Sequence, residues 1–246
     1  MFLDHPIVSS RYFFPRPGTP MGLVGVPVDG AVLACHRSQG PTDKTLVFFH
    51  GNGEIVDDYL PWFPQLWGVG TVLVEYRGYG ASTGRPSLIT MLDDAEQVVN
   101  ELGLDPEKII VFGRSVGSIY AVHLASRFPQ IAGLILESAI ADPLERILLR
   151  VHAHELGTTI SVLENEANIH LNHQAKMNAY GGPLLLLHTE HDGLVDISHA
   201  ERLFEWAGGR DKKLVRYPHG DHNSIFFTNQ DDYIRTVRNF MRPGEQ

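Results

Sequence analysis

The sequence predicts an α/β fold built on a mostly parallel sheet. Short runs that are apolar on both faces alternate with amphipathic patterns of near-3.6 spacing, as buried parallel strands covered by helices require. An Asp29-Gly30 pair between two apolar runs marks an antiparallel hairpin ahead of them. The run Ile109-Ile110-Val111-Phe112 leads into Gly113-Arg114-Ser115-Val116-Gly117 and then a helical pattern with Ile119, Tyr120, His123 and Leu124. Strand, sharp turn, helix is the setting in which G-x-S-x-G forms a nucleophile elbow.

The hairpin comes first, Leu23 to Val28 against Ala31 to His36, with a type I′ turn expected at Asp29-Gly30. The parallel strands follow as Leu46 to Phe49, Thr71 to Val74, Ile109 to Phe112, Leu134 to Leu136, Leu184 to Leu187 and Lys213 to Tyr217. Leu88, Met91, Leu92, Ala95, Val99 and Leu102 form one helical stripe, with Asp93, Asp94, Glu96 and Asn100 opposite. Ser198-His199-Ala200-Glu201 has the form of a capping box, and Gly208 is the expected cap at the other end of that helix. Tyr233, Ile234, Val237, Phe240 and Met241 mark a final helix. Between Glu54 and Trp67, Pro61 and Pro64 kink or restart any helix. Asp142-Pro143 starts another helix, with an apolar stripe of Leu144, Ile147, Leu148 and Val151. Residues 141–182 are read as a small cap, and that stripe as its pocket wall.

Composition narrows the function classes. A chain of 246 residues suits one α/β domain, here 1–246, with no repeat or linker to divide it. Hydrophobic residues make up 43%, enough for a sizeable core. A net charge of −9 argues against a nucleic-acid partner and against an anionic membrane surface. Cys35 is the only cysteine, so no intramolecular disulfide forms, and its strand context reads as a buried thiol. Met1 to Pro6 lacks the basic and apolar regions of a signal peptide, and no apolar run approaches the ~18 residues of a membrane span. The expectation is a cytoplasmic protein with no stable membrane anchor; no oligomeric state is assigned.

The chemistry centres on Ser115. Gly113 and Gly117 let strand and helix approach closely, and the following helix points its positive end and the Val116 N–H at the serine. A serine hydroxyl needs a general base, and the base an orienting acid. In this fold the acid follows the strand Leu184 to Leu187, where Glu190, Asp192 and Asp196 stand. The base follows Lys213 to Tyr217, where His219 and His222 stand. A metal cluster of His188, His191, His219 and His222 with Asp192 and Asp221 is disfavoured: H-E-x-x-H is absent and hydrolase chemistry accounts for both loops. Tyr76 to Gly84 carries no phosphate-binding pattern and reads as a shaped loop, with Arg77 paired to an acid. Glu54 reads as a charge at a helix N-terminus.

Four stretches together resemble the α/β-hydrolase superfamily: His50-Gly51-Asn52-Gly53-Glu54, Tyr76 to Gly84, Gly113 to Gly117, and His191-Asp192 with Asp221-His222. Within it, the chain is similar to the small-capped serine hydrolases that include protein depalmitoylases and related esterases. The resemblance implies Ser115 as nucleophile, Asp192 as acid because it stands two residues before Leu194-Val195, and His222 as base because it closes Gly220-Asp221-His222. It implies the backbone N–H groups of Asn52 and Val116 as the oxyanion donors. The implied activity is hydrolysis of a small-molecule acyl ester or thioester with no cofactor or metal. Two alternatives stand beside it: a peptidase or amidase on the same triad, and a non-catalytic binding protein on the same scaffold. Short to medium acyl groups are expected, because the sequence shows no cysteine cluster for acylation and the cap carries one short apolar stripe.

Overall fold

The computed structural model describes residues 1–19 and 21–242. Among them the apolar runs form eight strands: β1 Val24–Val28, β2 Ala31–Ser38, β3 Thr45–Phe49, β4 Gly70–Val74, β5 Ile109–Arg114, β6 Gly133–Glu137, β7 Leu184–Thr189 and β8 Lys212–Tyr217. They build one sheet in the order β1-β2-β4-β3-β5-β6-β7-β8. β1 pairs antiparallel with β2, and β2 with β4; the remaining neighbours are parallel.

Side-chain alternation divides the central strands between two cores. Val47, Phe49, Val111, Leu134, Leu136 and Leu186 face one; Leu46, Phe48, Ile110, Phe112, Ile135 and Leu187 face the other. All are buried, each worth about 1.5–3 kcal/mol relative to exposure. Ten helices cover the two faces: α1 Pro6–Tyr12, α2 Phe63–Trp67, α3 Thr90–Glu101, α4 Gly117–Arg127, α5 Pro143–Leu148, α6 Ile160–His170, α7 His173–Ala179, α8 Ser198–Trp206, α9 Ile225–Thr228 and α10 Gln230–Met241, counted among the described residues. α1 and α3 to α8 feed the first core, and α2, α9 and α10 the second. None of these helices is long and apolar enough to cross a membrane.

Several local expectations are corrected. The hairpin has the predicted register, Val28 opposite Ala31. Its turn is not type I′, because Gly30 has φ 70° while Asp29 stays outside the left-handed region. A tertiary contact explains this: the Asp29 carbonyl accepts from Arg77, whose guanidinium is also held by Asp94. Arg77 therefore has the acidic partner expected of it.

The capping box does not form at Ser198. Asp196 Oδ1 accepts the Ser198 N–H at 3.0 Å, and Glu201 pairs with Arg216 instead. The far end of α8 is capped by Ala207; Gly208 donates its N–H to Met177, and a Cβ there would lie 2.4 Å from the Asn178 oxygen. Asp142 does cap α5, accepting from Glu145 N–H at 3.1 Å. The stripe on that helix does not line the cavity at Ser115. Leu144, Ile147 and Val151 pack into the first core, and the side of the segment facing the cavity carries Arg146 and Arg150.

Candidate active site

Ser115 stands at the tip of the turn between β5 and α4 with φ 51°, in the left-handed region a non-glycine residue seldom adopts. Its N–H donates to the Glu137 carbonyl at the end of β6, at 2.9 Å, which holds the turn in place. The flanking glycines are required by contact. A Cβ on Gly113 would lie 2.6 Å from the Ala121 Cβ, and one on Gly117 would lie 2.1 Å from the Phe49 carbonyl oxygen. The sharp turn thus depends on the bare backbones of both.

His222 and Asp192 arrive from the loops after β8 and β7. His222 Nδ1 lies 2.8 Å from Asp192 Oδ2, and its Nε2 lies 3.0 Å from Ser115 Oγ. A carboxylate only accepts, so Nδ1 carries the proton in the neutral ring and Nε2 is free to accept from the serine hydroxyl. The other Asp192 oxygen accepts from Leu194 and Val195 N–H at 2.9 and 2.8 Å. Burial opposes the charged form of Asp192, but hydrogen bonds from His188 and His222, the His222 charge and the Val195 N–H outweigh it. Its carboxyl is held well below the usual carboxylate range. The rival residues lie elsewhere: Glu190, Asp196 and His219 are all exposed, and Asp196 is engaged by Ser198.

Asn52 and Val116 both line the cavity with Ser115, and the backbone N–H of neither has a hydrogen-bond partner among the described residues. The Asn52 loop is fixed from below. His50 faces two acceptors, Glu75 Oε1 at 2.7 Å and the Gly51 carbonyl at 2.8 Å. Burial lowers the pKa of this ring, yet the Glu75 hydrogen bond and charge outweigh it and hold the pKa above its ordinary value. The Asn52 side chain is tied to the N-terminal segment, donating to the Tyr12 carbonyl and accepting from Phe14 N–H at 3.0 Å and Tyr79 hydroxyl at 2.7 Å.

Several contributors were not read from the sequence. His188 Nε2 donates to the Val195 carbonyl at 2.8 Å and lies 3.4 Å from Asp192 Oδ2, behind the acid. Glu54 is not a helix-end charge. It pairs with Arg114 at 2.5 Å and accepts from Gly51 N–H at 2.6 Å. Arg114 also pairs with Glu137 at 2.9 Å, and Glu137 accepts from Tyr233 hydroxyl. Burial raises the Glu137 pKa against the opposing pull of Arg114. Tyr12 and Phe14, from a segment given no structure in the sequence reading, form part of the cavity wall. The cavity has a volume of 230 Å³, and its lining contains no carboxylate. Among the described residues, no three His, Cys, Asp or Glu side chains converge as a metal-holding group.

Sheet order, elbow and loop placement define a hydrolase class, and the chain belongs to the α/β-hydrolase superfamily. A family model described as alpha/beta hydrolase fold matches residues 44–154, and one described as serine aminopeptidase, S33, matches residues 152–228. Protein YfhR of Escherichia coli (strain K12) is 27% identical over 210 residues, covering 80% of this chain and 70% of that protein. Alpha/beta hydrolase domain-containing protein 17C of Xenopus laevis is 30% identical over 192 residues, covering 72% of this chain and 56% of the relative. The solved structure of the Pyrococcus furiosus esterase Pf2001 shares the fold, with a TM-score of 0.74 at 19% identity, covering 93% of this chain and 98% of that one.

Proposed function

We propose that this protein is a serine hydrolase that cleaves carboxylic ester or thioester bonds of small-molecule substrates through an acyl-enzyme, with short to medium acyl groups preferred. The observation that carries the reading is the continuous relay from Ser115 Oγ through His222 to Asp192, at 3.0 and 2.8 Å. In this reading Ser115 attacks the carbonyl while His222 Nε2 takes its proton. Asp192 holds the ring in the tautomer that leaves Nε2 free and stabilises the imidazolium that forms. The N–H groups of Asn52 and Val116 receive the negative oxygen of the tetrahedral intermediate, a task suited to donors aimed in advance. His222 then protonates the leaving group, and water, activated by the same ring, releases the acyl group. The chain acts as one domain, and residues 141–182 form a cap that contributes Arg146 and Arg150 to the cavity rim.

The test is twofold. A fluorophosphonate probe should label the protein at Ser115 and fail to label Ser115→Ala; label on another serine would remove the assignment. Values of kcat/KM for p-nitrophenyl esters from acetate to palmitate should rise over the first few carbons. Each buried methylene is worth about 0.8 kcal/mol while the cavity can hold it, and the values should then fall. A continued rise to palmitate would favour a lipid thioesterase.

The family model for serine aminopeptidases supports a second reading, cleavage at a free amino terminus. Such a site needs a carboxylate to hold the substrate ammonium. The lining offers arginines and none, so ester hydrolysis is the better-supported reading. Aminoacyl p-nitroanilides compared with the matching esters separate the two.

A further inference from the structure

Arg146 lies on α5 and Arg150 in the turn just past its end. Both border the 230 Å³ cavity above Ser115. Among the described residues, neither has a carboxylate within ion-pair distance. The nearby acids are engaged elsewhere: Glu145 with Arg202 at 3.1 Å and His199 at 3.6 Å, Glu155 with Arg11 at 2.7 Å, and Asp142 with the Glu145 N–H. The Arg150 guanidinium lies 5.1 Å from the centroid of the Phe14 ring, which steers it over the cavity wall. Arg146 is half-buried. Burial pushes the Tyr12 phenol up, while the charges of Arg146 and Arg150 pull against it, so both fields reach that wall.

A chain of net charge −9 thus places two unpaired guanidiniums at the mouth of a cavity lined by no acid. Guanidinium is matched in geometry to carboxylate and phosphate, and a partly enclosed mouth concentrates its field. We propose that the substrate carries an anionic oxygen group, a carboxylate or a phosphate, apart from the scissile bond, and that Arg146 and Arg150 bind it. This rests on the serine-hydrolase reading of the same site. The arginines set which ester is held and take no part in bond cleavage.

Two matched pairs of substrates test this and separate the sources of the anion. Mono-4-nitrophenyl glutarate against 4-nitrophenyl pentanoate places a carboxylate at the end of the acyl chain. S-butanoyl coenzyme A against S-butanoyl-N-acetylcysteamine places phosphates on the leaving group. In at least one pair, kcat/KM should favour the anionic member by about tenfold. The double substitution Arg146→Gln with Arg150→Gln should bring that ratio to within about twofold of unity. Lysine at both positions should retain most of it, since charge survives though the fork is lost. Arg150→Gln alone, at an exposed position, should give a partial fall, and melting curves check that each variant folds. A ratio near one in both pairs, or one unchanged in the double glutamine variant, overturns the proposal while leaving ester hydrolysis intact. Failure to hydrolyse any of the four substrates, with no probe labelling, overturns the serine-hydrolase reading and this inference together.

Discussion

Arg114 donates from Nη2 to the backbone carbonyl of His222 at 3.0 Å, so the residue before the elbow serine holds the loop that brings the histidine to it. The same guanidinium pairs with Glu54 and Glu137, one from each side. A lysine there has one charged nitrogen for a three-way junction. Arg114→Lys should lower the melting temperature and cut kcat on the best ester by about 10- to 100-fold, the scale expected of a small misplacement of a catalytic group. KM should change little. An equal loss in kcat and in substrate affinity would show that Arg114 acts through the cavity shape instead.

Asp192→Asn should reduce kcat/KM by on the order of 10³- to 10⁴-fold, because asparagine accepts or donates and so no longer fixes the His222 tautomer. Asp196→Asn, at an exposed site bonded only to the start of α8, should stay within a few-fold. Steady-state kinetics of both variants on one ester decide the matter, and the reverse ranking would move the acid to Asp196.

Acid should destabilise the protein through two histidines that are outside the triad. Burial, then the charge of Lys176, lowers His173 from 6.5 to about 3. Burial and Lys176 also lower His123 to about 4, against the pull of Glu96. Both rings are neutral in the folded chain at pH 5, while the unfolded chain protonates them near 6.5. Unfolding therefore takes up protons as the pH falls, and stability declines from about 6.5 down toward 4 and 3. Melting temperature measured between pH 7.5 and 4.5 should fall with acid, and His173→Asn should flatten the slope. An unchanged slope would rule out His173 as a source.

Ser138 offers a gain in stability. It follows β6 at φ 46°, and its buried hydroxyl has no hydrogen-bond partner among the described residues. Glycine removes a left-handed cost of about 1–2 kcal/mol and the stranded hydroxyl, against about 0.5–1 kcal/mol of added freedom in the unfolded chain. Ser138→Gly should raise the melting temperature by about 2–4 °C. A fall on thermal scanning would mean the hydroxyl has a partner in solution.

The parts of the fold that were legible rest on short-range pattern. Strand, elbow and helix around Ser115 announce themselves between Ile109 and Leu124, and five of the six parallel strands are short apolar runs, β8 with Lys213 and Arg216 being the exception. What was missed depends on partners distant in sequence. No local signal ties Arg114 to Glu54, Glu137 and Tyr233, which come from the end of β5, the loop after β3, the end of β6 and α10 and meet only in the folded chain. Helix α1 has seven residues with Val8, Ser9 and Ser10 among them, too short and too poor a helix former to stand out. The stripe on α5 was correctly apolar but drew attention to the core face, leaving the arginines beside it unread.

The tie between Asn52 and the segment Tyr12 to Phe14 gives the site a thermal weak point. That segment is held to the loop by two side-chain hydrogen bonds, Asn52 to the Tyr12 carbonyl and Phe14 N–H to Asn52, with the Tyr79 hydroxyl bridging the two, whereas the sheet beneath is held by ladders of backbone bonds. Segments with few anchors open at a lower free energy than the whole fold. Each such opening would free the Asn52 side chain and leave the proposed oxyanion donor positioned only from below, by His50 and Glu54. Heating would then erode turnover while the sheet is still intact, so the temperature at which the enzyme works best would be set by the grip on Tyr12 to Phe14 and not by the melting of the domain.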